Sequence, residues 1–319
     1  MSQEPLTNPP PPGWEREVLE KLLLEGIAEQ RRARRWNIFF KLLFFIYLVV
    51  VTLSLAQPWT EVVRPAGEIT AKVEVKGILL EDAQANAEAL VQGIKQAASD
   101  PHAKGILLEM NSPGGSPVQA AYVYEAIRRI KRQKPKLPIV AVVTDVCASG
   151  CYYIAAAADK IYVSSTSVIG SIGVVLNGFG FVETLHKLGI ERRLITAGEH
   201  KALLDPFSPI KPEEKAHIQD LLDEVHREFI AAVKRGRGER LKEDPKLFSG
   251  LVWTGSQSLS LGLADGIGDV DYVAKEVIGA EKVIDFTPRE DMFSRLARRV
   301  GTSLGETLMH FMWGLGALE

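Results

Sequence analysis

The stretch LPIVAVVTDVCASGCYYIAAAAD, residues 137–159, carries the pattern that decides the fold. Its first part, LPIVAVVTDV at residues 137–146, predicts a strand, and its alanine-rich end predicts a helix. Ser149 lies alone among small residues at the junction between the two. Many hydrolases present a nucleophile at such a turn. A serine at this place is also an ordinary helix N-cap, so the local sequence leaves both interpretations open.

Strand and helix patterns continue on both sides of this stretch. Residues 69–79 and 104–111 read as strands, because apolar residues alternate with polar ones or form a short run. Residues 86–99 and 118–134 read as helices between them. This alternation predicts a layered α/β domain.

The second half of the chain is more helical. A short helix is expected at 182–190, a strand at 191–198 and a long amphipathic helix at 213–237. The apolar face of the long helix consists of Leu221, Val225, Phe229 and Val233.

The composition excludes several classes of function. The formal net charge of -2 over 319 residues argues against a nucleic-acid partner. No Cys-x2-Cys pair with matching histidines and no H-E-x-x-H pattern occurs, so neither a zinc site nor any other cofactor is expected. The two cysteines, Cys147 and Cys151, cannot form a framework of several disulfides.

An apolar segment near the N-terminus predicts a membrane anchor. Residues 37–56 hold one charge, Lys41, and are long enough to cross the hydrocarbon core. Four arginines lie at 31–35, directly before it, and no basic cluster follows. The positive-inside rule then places the N-terminus in the cytoplasm and the rest of the chain outside. A cleaved signal peptide is the alternative, although the polar region before the segment is long for one.

These patterns divide the chain into five predicted parts. They are an N-terminal segment at 1–36, a transmembrane helix at 37–56, a linker at 57–67, a folded α/β domain at 68–287 and a tail at 288–319. The tail has an amphipathic pattern, which fits either a membrane surface or a neighbouring subunit.

Two further motifs are candidates for chemistry. The turn SPGGS, residues 112–116, follows a predicted strand and precedes a helix, so its backbone N–H groups can face an oxyanion. It is equally a tight turn and helix cap, and no Gly-Lys-Ser/Thr element follows it, which disfavours a phosphate loop. A serine nucleophile also needs a base. Histidines are available, and Lys201 in AGEHKALL qualifies if burial lowers the pKa of its amine.

Four motifs in this order resemble the signal peptide peptidase A family of bacterial membrane-anchored serine proteases, type S49. They are KGILLEMNSPGGSP, VCASGCYYIAAAADKIYVSSTSVIGSIGVV, AGEHKALLDPFSP and LVWTGSQSLSLGLADGIG, and the resemblance covers about residues 68–279. The resemblance implies Ser149 as nucleophile, Lys201 as general base and Ser171 as the residue that orients the lysine. It places Gly114 and Gly150 in the oxyanion hole.

The resemblance also implies a fold and a biological role. The fold would be of the Clp protease and crotonase type, built from repeated strand-strand-helix units. The role would be a serine endopeptidase of the bacterial inner membrane that degrades remnant signal peptides and assembles as a homo-oligomeric ring. Two alternatives remain: an inactive membrane scaffold of the same fold, and a crotonase-type acyl-CoA enzyme with Glu109 or Glu125 at the oxyanion turn.

The two cysteines flank Ser149 at a spacing of four. The family pattern SGGYY has glycine where this chain has Cys151. We expect both thiols to be reduced and buried, because a helical i, i+4 pair seldom meets disulfide geometry. A disulfide in an oxidising compartment and a cysteine nucleophile in place of Ser149 are the alternatives.

Overall fold

The computed structural model describes residues 14–55 and 67–288. The chain divides into two compact units, Met1–Ala66 and Gly67–Glu319. Residues 1–13, 56–66 and 289–319 lie outside the described residues, and they include most of the predicted linker at 57–67 and of the predicted tail at 288–319.

The first unit contains one helix, α1 (Trp14–Leu55), of 42 residues. Within it, Leu23–Thr52 is long and apolar enough to cross a membrane, judged by length and composition. Large apolar side chains such as Phe40, Phe44 and Phe45 are exposed along it. The predicted apolar helix is therefore present, and it is compatible with a membrane anchor.

The second unit is built around one eight-stranded sheet, and the predicted α/β fold class is confirmed. Its strands are β1 (Ile69–Lys76), β2 (Ala103–Ser112), β3 (Ile139–Ala148), β4 (Lys160–Val163), β5 (Val168–Gly170), β6 (Val252–Thr254), β7 (Gly266–Ile267) and β8 (Val283–Asp285). The main path runs β6-β5-β3-β2-β1-β8, and β4 pairs with both β3 and β7. All pairs are parallel except β5 with β6.

Helices cover the sheet. They are α2 (Ala87–Ser99), α3 (Pro117–Gln133), α4 (Gly150–Ala155), α5 (Val182–Lys187), α6 (Pro212–Arg237), α7 (Gly255–Ser260) and α8 (Val270–Tyr272), with a 3-10 turn at Gly238–Arg240 and a π-helical turn at Val273–Ile278. Polar caps fix their starts: Asn86 accepts the Ala89 N–H before α2, and Ser116 accepts the Gln119 N–H before α3.

Alternation along the central strands separates two apolar cores. On β2, Ile106 and Leu108 face the larger core under α2, α3 and α4, whereas Leu107 faces a smaller core beside the π-helical turn. The end of α6 approaches α4 closely, since a Cβ on Gly236 would overlap the carbonyl oxygen of Ala156. A side chain at residue 236 would therefore push the two helices apart.

Residues 174–211, which we call the arm, contrast with this packed unit. α5 is the regular element in this stretch, and large apolar side chains such as Val175, Phe179 and Ile195 are exposed. The predicted strand at 191–198 is wrong for the described chain, because the segment has no neighbouring strand to pair with. A strand needs a partner for its backbone N–H and C=O groups, and sequence alternation alone does not supply one.

Candidate active site

The turn between β3 and α4 presents Ser149 in an unusual backbone conformation. Ser149 has φ 52° and ψ -124°, a region that residues with a Cβ seldom occupy. Although it occupies the N-cap position of α4, its side chain makes no capping hydrogen bond. The capping interpretation therefore fails for this serine, and its hydroxyl is left available for chemistry.

The loop after β5 holds this turn from the side. The Ser149 N–H donates to the Gly170 carbonyl at 2.8 Å, and the neighbouring Ser171 N–H donates to the Leu251 carbonyl at 2.8 Å. Ser171 also has a positive φ, 51°. Two serines in uncommon conformations thus lie on adjacent, hydrogen-bonded segments.

Ser149 and Ser171 both line a cavity of about 860 Å³. Much of its wall is apolar and aromatic, from α4, α6 and the loop before β6: Tyr153, Leu222, Val225, Phe229 and Phe248. Burial raises the pKa of the Tyr153 phenol, so this group stays protonated. The cavity is large enough for several residues of an extended apolar peptide.

The glycine turn after β2 packs directly against the Ser149 turn. A Cβ on Gly114 would lie 2.7 Å from both the Ala148 oxygen and the Gly150 nitrogen, so only glycine fits there. The Gly114 N–H, however, donates to the buried Ser112 hydroxyl at 3.1 Å. Gly115 lines the cavity instead, and its nitrogen lies 3.5 Å from the place of a Cβ on Gly150.

The geometry therefore modifies the predicted oxyanion hole. A hydrogen bond to Ser112 competes with any use of the Gly114 N–H, whereas Gly115 and Gly150 both face the cavity. The family resemblance implied Gly114 and Gly150, and which of the two adjacent N–H groups in SPGGS faces the cavity depends on the turn's dihedral angles, so the role of Gly114 stays a prediction.

Lys201 does not join the other predicted residues. It is exposed, and it lies outside the set of described residues that line the cavity. The burial that was expected to keep this lysine neutral is absent within the described chain. The physical reason is its position on the arm beyond Leu176, a part of the arm that does not line the cavity within the described residues.

The turn that carries Lys201 is nevertheless fixed in place. His200 Nδ1 lies 3.2 Å from the buried Glu214 carboxylate in the first turn of α6. Elsewhere on the arm, Phe207 stacks on Phe181, and Asp205 accepts from the Ser208 hydroxyl at 2.6 Å. This hydrogen bond holds the pKa of Asp205 below its usual value.

His226 is a cavity residue that sequence reasoning set aside. It lines the cavity, and its Nε2 lies 3.2 Å from the Ile172 carbonyl oxygen, next to Ser171. The signal was present in the spacing: Leu222, His226 and Phe229 share one face of a helix at i, i+4 and i+7.

The expectation of two reduced cysteines is wrong, since Cys147 and Cys151 form a disulfide with Cα atoms 5.1 Å apart. The reason lies in the local structure. Cys147 ends a strand and Cys151 begins a helix, so the pair spans a sharp turn and not one helical turn. That separation is within the ordinary disulfide range.

Comparison with known sequences points to peptidases. Residues 131–283 match the family described as Peptidase family S49. A putative protease of Synechocystis sp. is 30% identical over 198 residues, which cover 62% of this chain and 69% of the relative. A putative signal peptide peptidase SppA of Enterococcus faecium is 29% identical over 224 residues, 68% of this chain and 64% of the relative.

A higher identity occurs with longer proteins. Two Brucella proteins named Na(+)/H(+) antiporter NhaA, from B. abortus and B. melitensis, are 42% identical over 213 residues. The match covers 66% of this chain but 29% of each relative. The chain therefore spans less than a third of these two relatives.

Proposed function

Because this chain belongs to peptidase family S49, we propose that it is a membrane-anchored serine endopeptidase whose nucleophile is Ser149. The observation that carries the proposal is the Ser149 turn: a serine at positive φ, without a capping bond, opening onto a cavity of about 860 Å³. Backbone N–H groups of Gly150 and Gly115 stand beside it. A nucleophile and oxyanion donors are thus close together.

The proposed reaction is acyl transfer. Ser149 Oγ attacks a peptide carbonyl while a base takes the hydroxyl proton, and the N–H groups of Gly115 and Gly150 stabilise the oxyanion. The amine of the cleaved bond leaves with a proton from the base. Water, activated by the same base, then hydrolyses the ester and frees Ser149. Ser171 is proposed to orient the base.

We propose Lys201 as that base, supplied when copies of the chain assemble. The arm is tied to α6 by the His200–Glu214 pair, so moving the arm onto the cavity of its own chain would break this pair. A second copy needs no such rearrangement. Burial between copies would also cover the apolar side chains of the arm and favour a neutral lysine. A closed ring is the symmetric assembly that satisfies every copy in this way.

The proposed substrates are remnant signal peptides. They are apolar and lie in the membrane, and the apolar wall formed by Leu222, Val225 and Phe229 suits such side chains. α1 would hold the catalytic unit at the same membrane. The arginines before its apolar part favour a cytoplasmic N-terminus and a catalytic unit on the outer face of a bacterial inner membrane.

The test uses the full chain in detergent micelles with fluorogenic peptides carrying alanine or leucine before the cleaved bond. Ser149→Ala and Lys201→Ala should each lose at least about a thousandfold in kcat. His226→Gln tests the second candidate base, His226. If Lys201 is the base, this variant should keep most of the activity. If His226→Gln falls as far as Ser149→Ala while Lys201→Ala does not, His226 is the base.

The position of Lys201 also favours a second candidate, an inactive membrane scaffold of the same fold. A wild-type chain that forms rings but cleaves no peptide and leaves a serine-reactive fluorophosphonate unreacted would establish it. The acyl-CoA alternative has less in its favour. Glu109 is paired with Lys72 at 2.8 Å, and Glu125 is exposed on α3, so neither lines the cavity among the described residues.

A further inference from the structure

The disulfide encloses the nucleophile. Cys147 and Cys151 are bonded, and the residues between them are Ala148, Ser149 and Gly150. We propose that this cystine is a covalent brace that holds Ser149 in its reactive conformation, so that the turn is fully active only when oxidised. The inference rests on the proposed function in one respect, namely that Ser149 is the nucleophile.

The turn needs a brace because its backbone conformation is unfavourable. A residue with a Cβ at φ 52° and ψ -124° relaxes toward commoner dihedral angles unless its surroundings prevent this. Two hydrogen bonds restrain it: the Ser149 N–H donates to Gly170, and the Ser149 carbonyl accepts from Tyr153 at 3.0 Å. The cystine adds a covalent restraint, because it links the chain before Ser149 to the chain after it.

The cystine also lies at the centre of the other site loops. Cys147 is in register with Ser112 on β2 and with Ile169 on β5. Ser112 accepts the Gly114 N–H, and Ile169 is two residues before Ser171. A shift of Cys147 would therefore disturb the oxyanion turn and the Ser171 loop together with the nucleophile.

The chemistry of the bond fits the proposed location. Its formation removes two protons and two electrons from two thiols and requires a disulfide oxidant, which becomes a dithiol. Such oxidants act outside the cytoplasm. Both cysteines are fully buried, so a dithiol reductant reaches the bond only when the turn opens. The cystine is then set during folding and persists afterwards.

The experiment uses the full chain in detergent, where the two cysteines make a thiol count unambiguous. Maleimide labelling after denaturation, read by mass spectrometry, should find no thiols before reduction and two after it. Reduction with dithiothreitol should slow phosphonylation of Ser149 by a fluorescent fluorophosphonate about tenfold or more, and should lower kcat for peptide hydrolysis with little change in KM. The unfolding temperature should change little, since the closed loop is short.

The double variant Cys147→Ala/Cys151→Ala is the matched control. It should react at the rate of the reduced wild type and be indifferent to dithiothreitol. The proposal would be overturned by two free thiols before reduction. It would also be overturned if oxidised and reduced wild type reacted with the fluorophosphonate at the same rate. If Ser149 does not react in any state, hydrogen exchange over residues 146–153 decides. Exchange at least tenfold faster after reduction supports the brace, and unchanged exchange rejects it.

Discussion

Two regions that carry the proposed catalytic residues are built in opposite ways. The helix after Ser149 is buried on every side, with Tyr152, Ile154 and Ala155 fully inaccessible. The arm that carries Lys201 leaves Ile195 97% exposed and Val175 85% exposed. The contrast fits the proposal that one chain holds the Ser149 turn in place on its own, whereas Lys201, the proposed base, depends on a contact with a second copy.

The strongest way to break this comparison is complementation between two inactive variants. Ser149→Ala and Lys201→Ala should each be inactive alone. Coexpressed, they should recover up to roughly a quarter of the wild-type rate, the statistical share of sites in a symmetric ring that combine both intact residues. Peptide hydrolysis by the purified mixed oligomer measures this.

Coexpression of the double variant Ser149→Ala/Lys201→Ala with Ser149→Ala is the control and should give no activity. Mixed oligomers without recovered activity would mean that Lys201 serves its own chain.

The second prediction concerns a substitution in the buried unit, away from the arm. The Arg237 side chain is inaccessible and makes paired hydrogen bonds with Asp265 at 2.8 and 2.9 Å. Arg237→Met leaves this carboxylate without its main partner and should cost about 3–5 kcal/mol in the free energy of unfolding, measured in urea. Arg227→Met, on an exposed face of the same helix, should cost almost nothing. Equal effects from both would contradict the argument.

The same pair makes the stability of this unit sensitive to acid. Desolvation tends to raise the pKa of Asp265, but the hydrogen bonds and charge of Arg237 outweigh it, so the pKa is lowered. A carboxyl group whose pKa is lower in the folded state stabilises the fold at pH values above its unfolded-state pKa, near 3.9. This stability is lost as the pH falls through the folded-state pKa. The unfolding temperature should therefore drop below about pH 4. Arg237→Met should weaken this dependence, and an unchanged slope would reject the assignment.

The smallest expected effect is on kcat and comes from a substitution at the contact between the arm and α6. Glu214→Gln weakens the contact with His200 and should loosen the turn that carries Lys201. His200 is half exposed, so kcat should fall only about two- to fivefold. Glu213→Gln, one residue earlier and exposed, is the matched control and should leave kcat unchanged. Losses of the same size in both variants would point to net charge near the site, and not to the His200 contact.

The buried unit could be predicted from sequence because its signals are local. The strand, the Ser149 turn and the helix of residues 137–159 follow from apolar patterning and small residues, and the α/β class and the family resemblance are both confirmed. The roles of Ser149, Ser171 and Lys201 stay predictions.

The other features of the site and the arm depend on three-dimensional contacts, which residue spacing in the sequence does not reveal. Spacing does not show that the Gly114 N–H donates to the Ser112 hydroxyl, and a helical assumption hid the Cys147–Cys151 bond. At 191–198 alternation predicted a strand, but a strand forms only with a partner. Each of these misses concerns contacts between segments, whereas periodicity reports on one segment at a time.

The helix α6 divides into two halves with different freedom to evolve. At its C-terminal end, Gly236 meets the Ala156 carbonyl and Arg237 is paired with Asp265, so substitutions there endanger the fold. Toward its N-terminus, Leu222 and Val225 line the cavity and are not part of the buried core. Substitutions at Leu222 and Val225 can therefore change the cavity wall during evolution, while the C-terminal end of α6 keeps the helix in place. If the cavity binds peptides as proposed, peptide preference is in this way free to diversify faster than the scaffold that supports it.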